Sequence, residues 1–375
     1  MEQFQRFELE WEMAQWDRME TFNLSESGIT PLTLQELIGN DDESLQKFLD
    51  IPLDYAGQRG SLALRETLSD MYSGATQENI LPVSGAAEAN YLVLNTFLNA
   101  GDQIVMTWPN YPQIWGIAKN LQLNIVKVNH MRDRNWALDI QMMDEVVTEN
   151  TKLIAICNPD NPTGYVLTRK EREAIINAAQ KVDAWILADE VYAGSEITND
   201  TETKSLFGEY DKVITINSLS KTYAIPGLRL GWIVAPHMVT SEILKRKQYT
   251  TITTSTLSDR LAAHFLQERN RQKILARTRT VIRKGAEVLE IWIKNSEGHF
   301  SVVMPQASGI AFVRYNHDIN SSEFMKQLYQ ASGVSLLAGD FFGIDGYLRI
   351  SFGRPEKYVQ KGLEKVTEFA LQYNR

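Results

Sequence analysis

Short apolar runs alternate with amphipathic helical patterns from about residue 81 to residue 234, and this alternation limits the folds open to the chain. The runs rich in Val and Ile cover residues 103–107, 124–128, 153–158, 185–189, 213–217 and 230–234. Helical patterns lie between most of them, for example over residues 169–182. Apolar strands joined by helices are typical of an α/β fold, a mostly parallel sheet with helices on both faces. Such a sheet binds ligands beyond the carboxyl ends of its strands, so we expect a site there.

The pattern changes after about residue 255, where long helical stretches lead into short strand-like runs mixed with helices. The segments after this point are 257–293 (helical), 301–304, 309–315, 322–331 (helical), 334–337, 347–352 and a final helix from Glu356. This order predicts a smaller α+β domain. The first 35 residues predict a helix and a loop, which either only pack against the body or line the site. We therefore predict an N-terminal arm and loop (1–35) that joins the small domain, a large domain (36–255) and a small C-terminal domain (256–375).

Composition excludes several classes of protein. The net charge of −9 over 375 residues argues against nucleic acid or an anionic membrane surface as the main partner. The single cysteine, Cys157, excludes an internal disulfide and a Cys-rich zinc site, and no histidine pair has metal-binding spacing. The sequence has neither a signal-peptide pattern nor an apolar run of about 20 residues. We expect a cytoplasmic enzyme.

One lysine, Lys221, lies just beyond the apolar run 213–217 and is surrounded by Ser218, Ser220 and Thr222. A lysine at the end of a buried strand is costly unless its amine is unprotonated, paired or covalently used. The hydroxyl groups, together with Arg229, indicate an anionic ligand at the same place. These residue types lead to the hypothesis that Lys221 forms a Schiff base with a phosphorylated aldehyde cofactor.

Two further motifs follow apolar runs and carry side chains that suit a charged aromatic ligand. Asp189 ends the run 185–189, where an aspartate is avoided unless it has a positive partner such as a protonated pyridine nitrogen; the alternative is a helix N-cap. Asn161 lies in a turn with two prolines and a glycine, over residues 158–164, and can donate to an oxygen on the ring. Tyr192, three residues after Asp189, can bind the same oxygen.

Three more positions suit the remaining parts of such a ligand. The small-residue turn at 84–89 opens a helix and is either an anion site or an ordinary N-cap. Tyr111, between Pro109 and Pro112, either stacks on a planar cofactor or is a core aromatic. Arg349 interrupts an apolar strand and needs an anion, either a substrate carboxylate or a buried Asp or Glu.

Together these elements resemble the class I/II aminotransferases, the fold-type I enzymes that use pyridoxal 5′-phosphate. The resemblance runs from about residue 20 to the end and rests on Tyr55, Gly60, Ser84, Gly85, Tyr111, Asn161 to Gly164, Asp189 to Tyr192, Ser218 to Lys221, Arg229 to Gly231 and Arg349. It implies that Lys221 holds the cofactor and shuttles protons, that Asp189 pairs with the ring nitrogen, and that Asn161 and Tyr192 bind the ring oxygen. Tyr111 would stack on the ring.

The resemblance also implies the positions of the two anionic groups. The phosphate would be bound by Gly85, Ala86, Ala87, Ser218 and Arg229. The substrate carboxylate would be bound by Arg349, with Asn161 and Gly28 close to it. The family is usually dimeric, so we expect a homodimer in which Tyr55 reaches the partner's phosphate and the stretch 249–256 faces the other subunit.

Two departures from the family pattern bear on substrate choice. Ala86 and Ala87 stand where many relatives have Ser or Thr, so the backbone must do more of the phosphate binding. The N-terminal loop reads Ser-Glu-Ser-Gly-Ile over residues 25–29, and Glu26 in a substrate-facing loop would favour a basic substrate. The short arm, this loop and the stretch 249–252 loosely resemble the capreomycidine synthase branch, which acts on guanidino amino acids.

The expected activity is transfer of an amino group between an amino acid and a 2-oxo acid through the Lys221 Schiff base. The alternative at the same site is a pyridoxal-phosphate-dependent lyase or cyclase that acts on a β- or γ-substituted or guanidino amino acid. A non-catalytic regulator normally carries a DNA-binding segment ahead of this fold, and about twenty residues are too few for one.

Overall fold

The computed structural model describes residues 4–16, 21–39 and 42–372. The strands are β1 (Phe22–Asn23), β2 (Ile80–Val83), β3 (Gln103–Trp108), β4 (Asn124–Met131), β5 (Ala137–Leu138), β6 (Thr151–Cys157), β7 (Trp185–Asp189), β8 (Val213–Ser218), β9 (Gly231–Val234), β10 (Phe300–Val302), β11 (Ile310–Tyr315), β12 (Val334–Ser335), β13 (Leu337–Ala338) and β14 (Tyr347–Ser351). The α-helices are α1 (Glu8–Trp16), α2 (Leu34–Ile38), α3 (Asp42–Leu49), α4 (Leu62–Ser69), α5 (Ala86–Phe97), α6 (Pro112–Asn120), α7 (Ile140–Val146), α8 (Arg169–Val182), α9 (His237–Lys247), α10 (Thr256–Phe265), α11 (Glu268–Lys294), α12 (Ser321–Ser332) and α13 (Glu356–Gln372).

Eight strands form one sheet in the order β2-β9-β8-β7-β6-β3-β4-β5. The five strands from β8 to β4 in this order are parallel, and β9 is antiparallel to both of its neighbours. Because β9 reverses direction, β2 runs the same way as β8, and its carboxyl end lies at the same edge of the sheet. The predicted mostly parallel sheet is therefore confirmed.

Both faces of this sheet are covered, as the continuous apolar runs predicted. Successive residues of a strand face opposite sides, and on β6 Leu153 and Ala155 join one buried cluster while Ile154 and Ile156 join another. The first cluster includes residues of α5, α6 and α9, and the second includes residues of α7 and α8. Helix α8 has the predicted bounds because Thr168 and Glu171 form a capping box at its start.

Strand β2 was not predicted from the sequence, because Pro82 lies in its middle. A proline is tolerated there since β2 is an edge strand of the sheet. The long helical segments predicted over 257–293 are the two helices α10 and α11, whereas the predicted run 334–337 is two strands in different sheets, β12 and β13.

The remaining strands lie in two smaller sheets. Strands β10, β11, β14 and β13 form an antiparallel sheet, and β1 pairs with β12 in parallel through Phe22 and Val334. The backbone N–H of Ser351 donates to the carbonyl oxygen of Leu24, so the N-terminal segment is hydrogen-bonded to the C-terminal part of the chain. The division into three segments, with boundaries after residues 35 and 255, stays a prediction. Within the described part of the chain, no helix is both long and apolar enough to cross a membrane.

Candidate active site

A cavity of about 420 Å³ opens at the carboxyl edge of the eight-stranded sheet, beside the start of α5. Asp189 and Ser218 are the last residues of β7 and β8, and Tyr111 lies three residues after β3. These side chains meet in the cavity because the parallel strands that carry them end at one edge. Phe7, Glu10 and Glu26 of the N-terminal segment also border the cavity. The arm and its loop thus line the site, which was one of the two readings of the sequence.

Lys221 borders the cavity three residues after β8. Its Nζ donates a hydrogen bond of 2.7 Å to Oγ of Ser27 on the N-terminal loop. Burial lowers the pKa of the Lys221 ammonium, and the nearby guanidinium of Arg349 lowers it further, while Glu26 opposes the change. A lysine whose pKa is lowered can act as a nucleophile or a base.

Asp189 is 5% exposed, and burial raises the pKa of its carboxyl group to about 6. A hydrogen bond from the Val191 N–H (3.2 Å to Oδ1), one from the Asn90 side chain, and the charge of Lys221 each limit the rise. Asp189 does not cap a helix, because an irregular turn follows β7. A buried carboxylate of this kind suits a cationic ring nitrogen.

Asn161, Tyr192 and Arg349 form one hydrogen-bonded group. Asn161 Nδ2 donates to the Tyr192 hydroxyl at 3.4 Å, and Arg349 Nη1 donates to Asn161 Oδ1 at 3.2 Å. Arg349 is 2% exposed, its Nη2 donates to the carbonyl oxygen of Ser25, and its buried Nε has no partner. Among the residues the structure describes, no Asp or Glu forms an ion pair with Arg349, so the alternative of a structural ion pair is not observed.

An anion cradle lies where β2 turns into α5. Gly85 has φ +88°, and Ala86 and Ala87 begin the helix, whose first N–H groups have no acceptor within the helix. Arg229 is exposed and borders the cavity; a Cβ on Gly85 would lie 2.9 Å from its Nη2. The backbone N–H groups at the start of α5 and the Arg229 guanidinium are donors on the same cavity. No side chain caps the helix start, so these N–H groups suit a phosphate group.

The chain also packs closely under this cradle. A Cβ on Gly231 would lie 2.8 Å from the Gly85 carbonyl carbon and 2.9 Å from the Ala86 nitrogen. Ser218 is buried, and its Oγ accepts from the Ser220 N–H at 3.4 Å. Strand β9 can therefore support the turn only through a residue without a side chain.

Tyr111 borders the cavity rather than the core. Its hydroxyl donates to Glu10 Oε1 at 2.9 Å, and the Phe7 ring lies edge-on at 5.5 Å between ring centroids. Burial and the adjacent Glu10 raise the pKa of Tyr111. The N-terminal segment therefore holds the Tyr111 ring in one orientation, and the ring borders the same cavity as Asp189.

Four predicted site residues do not border this cavity. Gly85 precedes the lining residue Ala86, and Arg349 is hydrogen-bonded to the lining residue Asn161. Tyr55 is 79% exposed, and a Cβ on Gly28 would lie 3.5 Å from the Ser220 carbonyl oxygen. Sequence reasoning missed Asn90, Ser27, Glu10 and Phe7 as site residues. Asn90 had a signal, because it follows Ala86 by one helical turn and shares its face.

Comparison with known proteins identifies the family. A family model described as aminotransferase class I and II matches residues 52–366. The chain belongs to this family. It is an enzyme, a pyridoxal-phosphate-dependent aminotransferase.

Individual relatives span nearly the whole chain. A solved structure of a PLP-dependent aminotransferase from Streptococcus suis 89-1591 is 32% identical, with a TM-score of 0.92 and full coverage (100%) of both chains. Capreomycidine synthase of Streptomyces vinaceus is 25% identical over 92% of this chain and 89% of its own length. Aromatic-amino-acid aminotransferase 2 of Thermococcus litoralis is 25% identical over 94% of this chain and 97% of its own.

Proposed function

We propose that this aminotransferase binds pyridoxal phosphate in the cavity at the carboxyl edge of the large sheet. The phosphate lies in the cradle of Gly85, Ala86, Ala87, Ser218 and Arg229. The ring packs against Tyr111, its oxygen accepts from Asn161 and Tyr192, and its nitrogen pairs with Asp189. The donors in the cradle and the buried, unneutralised Asp189 support this orientation.

The proposed catalytic role of Lys221 follows from its position and pKa. When bound, the cofactor ring accepts electron density from the substrate's α-carbon after that carbon loses its proton. The Nζ of Lys221 would remove this proton as a general base and hold it for return as a general acid. Its lowered pKa favours the unprotonated amine that this step requires. The placement of Lys221 and Asp189 on one cavity is the observation that carries the proposal.

Arg349 is proposed to bind the substrate's α-carboxylate. Its Nε is buried without a partner, and its Nη1 is bonded to an amide oxygen rather than to a carboxylate. A guanidinium that approaches a carboxylate binds it with two parallel hydrogen bonds. Asn161 then contacts both the cofactor and the residue that holds the substrate, which would align the two.

Replacement of Lys221 tests the proposed role. We expect Lys221→Ala to lose the cofactor absorbance band of the lysine-bound form and to reduce turnover by about 10²–10⁴-fold, the usual contribution of a general base. Lys212→Ala is a matched control, because Lys212 precedes the same strand at its other end and pairs with Asp183. An unchanged band with full activity in Lys221→Ala would contradict the assignment.

A lyase or cyclase that acts on a β- or γ-substituted or guanidino amino acid is the second candidate, and the similarity to capreomycidine synthase favours it. The residues named above have the same roles in both reactions up to the loss of the α-proton. Incubation of the loaded enzyme with a single amino acid separates them. Aminotransfer converts the cofactor to pyridoxamine phosphate in stoichiometric amount, whereas elimination leaves it as pyridoxal phosphate.

A homodimer whose sites are completed across the interface is proposed from one exposed surface. Tyr55 and Tyr249 are 79% and 93% exposed, and Leu53 and Ile252 are exposed beside them. The two stretches form one surface, because Thr253 Oγ1 donates to the Gly57 carbonyl oxygen at 2.7 Å. Exposed apolar patches of this kind mark protein interfaces. Sedimentation should give the mass of two chains; a single-chain mass at micromolar concentration would contradict the dimer.

The cytoplasmic location and the domain boundaries stay predictions.

A further inference from the structure

The charged side chains around the cavity do not balance once the proposed ligands are in place. Lys221 and Arg229 border the cavity, and a third cation, Arg349, is hydrogen-bonded to Asn161 on its wall. Under the proposed function Lys221 binds the cofactor, Arg229 its phosphate and Arg349 the substrate carboxylate. Asp189 pairs with the ring nitrogen. Two carboxylates that border the cavity, Glu10 and Glu26, are left without a positive partner.

Glu26 is held in a defined place by its backbone. Its N–H donates to Asn23 Oδ1 at 3.0 Å, and the same oxygen accepts from the Ser25 N–H at 3.2 Å. The loop is also tied to β14 through the bond between Leu24 and Ser351. Within the described part of the chain, the Glu26 carboxylate accepts no hydrogen bond and forms no ion pair. The side chain is only partly buried.

Glu10 reaches the cavity from helix α1. Leu9 and Trp16 of this helix are buried and fix its rotation, and Glu10 Oε1 accepts the Tyr111 hydroxyl hydrogen at 2.9 Å. A carboxylate has about four acceptor positions, so this bond leaves most of them for another donor. Glu12, two residues further along the helix, does not border the cavity.

We propose that Glu10 and Glu26 receive the positively charged end of the substrate's side chain, so that the preferred amino donor carries a guanidinium or an ammonium group. This inference rests on the proposed function, because it assumes that Lys221 and Arg229 bind the cofactor and that Arg349 binds the substrate carboxylate. A guanidinium presents five N–H donors and an ammonium three, so either has enough donors for more than one carboxylate. An acidic side chain would meet two like charges there and is disfavoured.

The test measures binding of paired amino acids to the cofactor-loaded enzyme through the change in cofactor absorbance. Arginine is paired with citrulline, which replaces the guanidinium by a neutral urea, and ornithine is paired with norvaline, which lacks the ammonium. We expect the charged member of at least one pair to have an apparent Kd at least tenfold lower. The pair with the larger ratio shows whether a guanidinium or an ammonium is preferred. A ratio near one for both pairs in the unmodified enzyme overturns the proposal, and this comparison needs no variant.

Variants then test the two residues. Glu26→Gln and Glu10→Gln keep the side-chain size and an acceptor for the Tyr111 hydroxyl, and each should reduce the charged-to-neutral ratio at least threefold while the apparent Kd of citrulline or norvaline stays constant. Glu12→Gln removes the same charge from the same helix and should leave the ratio unchanged. A ratio that neither variant lowers overturns the assignment.

The proposed function and this inference can be contradicted independently of each other. Pyridoxamine phosphate is measured after incubation with each amino acid, independently of the apparent Kd. If none of them yields it while the preference for charged side chains persists, aminotransfer is contradicted and the inference stands. If it forms without any such preference, the inference alone is contradicted.

Discussion

The proposed site has a cofactor end and a substrate end, and the two are built differently. At the cofactor end, Gly85, Asp189 and Ser218 lie within two residues of the carboxyl end of a strand of the same sheet. At the substrate end, Ser27, Glu26 and Arg349 come from opposite ends of the chain, and the Arg349–Ser25 hydrogen bond joins residues 324 positions apart. The cofactor end is therefore positioned by a hydrogen-bonded sheet with an apolar core on each face, whereas the substrate end depends on contacts between distant segments. This difference predicts that changes at the first end abolish chemistry and changes at the second alter affinity.

The largest effect is expected at Asp189. Asp189→Asn removes one partner of a buried charge pair, which costs about 3–5 kcal/mol, or roughly a 10²–10⁴-fold loss in the rate at which a saturating amino acid converts the cofactor. Cofactor should still bind, since the phosphate cradle is intact. A stopped-flow record of the cofactor absorbance gives the rate. A rate within threefold of the unmodified enzyme would show that the ring nitrogen does not depend on this carboxylate.

The same substitution should have the opposite effect on the stability of the cofactor-free protein. Burial raises the pKa of Asp189 from 3.8 to about 6, so the folded state favours the protonated group. The folded chain therefore loses stability as the pH rises from about 4 to about 6, by about 3 kcal/mol for a shift near two units. Asp189→Asn should equal the unmodified protein in unfolding free energy at pH 4 and exceed it above pH 6. A difference that is constant from pH 4 to pH 8 would contradict this.

Arg349 tests the substrate end. Arg349→Gln should weaken amino acid binding by about 1.5–3 kcal/mol, a roughly 10- to 150-fold rise in apparent Kd, and leave cofactor affinity unchanged. Arg314→Gln on the neighbouring strand β11 is the control, because Arg314 is exposed on the same sheet. If Arg349→Gln weakened cofactor binding as much as substrate binding, the two ends would not be separate in function.

The cofactor end could be predicted from the sequence because each of its residues stands next to a recognisable strand. The runs before Asp189, Ser218 and Asn161 have the apolar pattern of buried parallel strands, and the strands end where the pattern places them to within one or two residues. Topology then brings the strand ends together. Strand β2 was not predicted, since Pro82 interrupts its pattern, although the turn after it was recognised.

The substrate end could not be predicted in the same way. Ser27 and Glu10 have no local pattern that marks them, since their roles depend on the docking of the N-terminal segment against the cavity and on the pairing of β1 with β12. Glu26 was recognised only from its place in a loop that resembles a substrate-facing one. Tyr55 lies away from the cavity of its own chain, and its proposed role depends on a second subunit.

The smallest effect is expected at the contact between the two ends, the hydrogen bond from Lys221 to Ser27. Ser27→Ala should lower the unfolding free energy of the cofactor-free protein by about 0.5–1.5 kcal/mol. The loss should be less than half as large with cofactor bound, because the Lys221 amine is then bonded to the cofactor and no longer donates to Ser27. Ser69→Ala is the control, since Ser69 is similarly buried and bonds the Glu66 carbonyl oxygen at 2.8 Å within helix α4. Its effect should be equal in both forms. Equal losses for Ser27→Ala with and without cofactor would mean that the substrate-end loop is held in place without Lys221, and that the two ends are independent even at this contact.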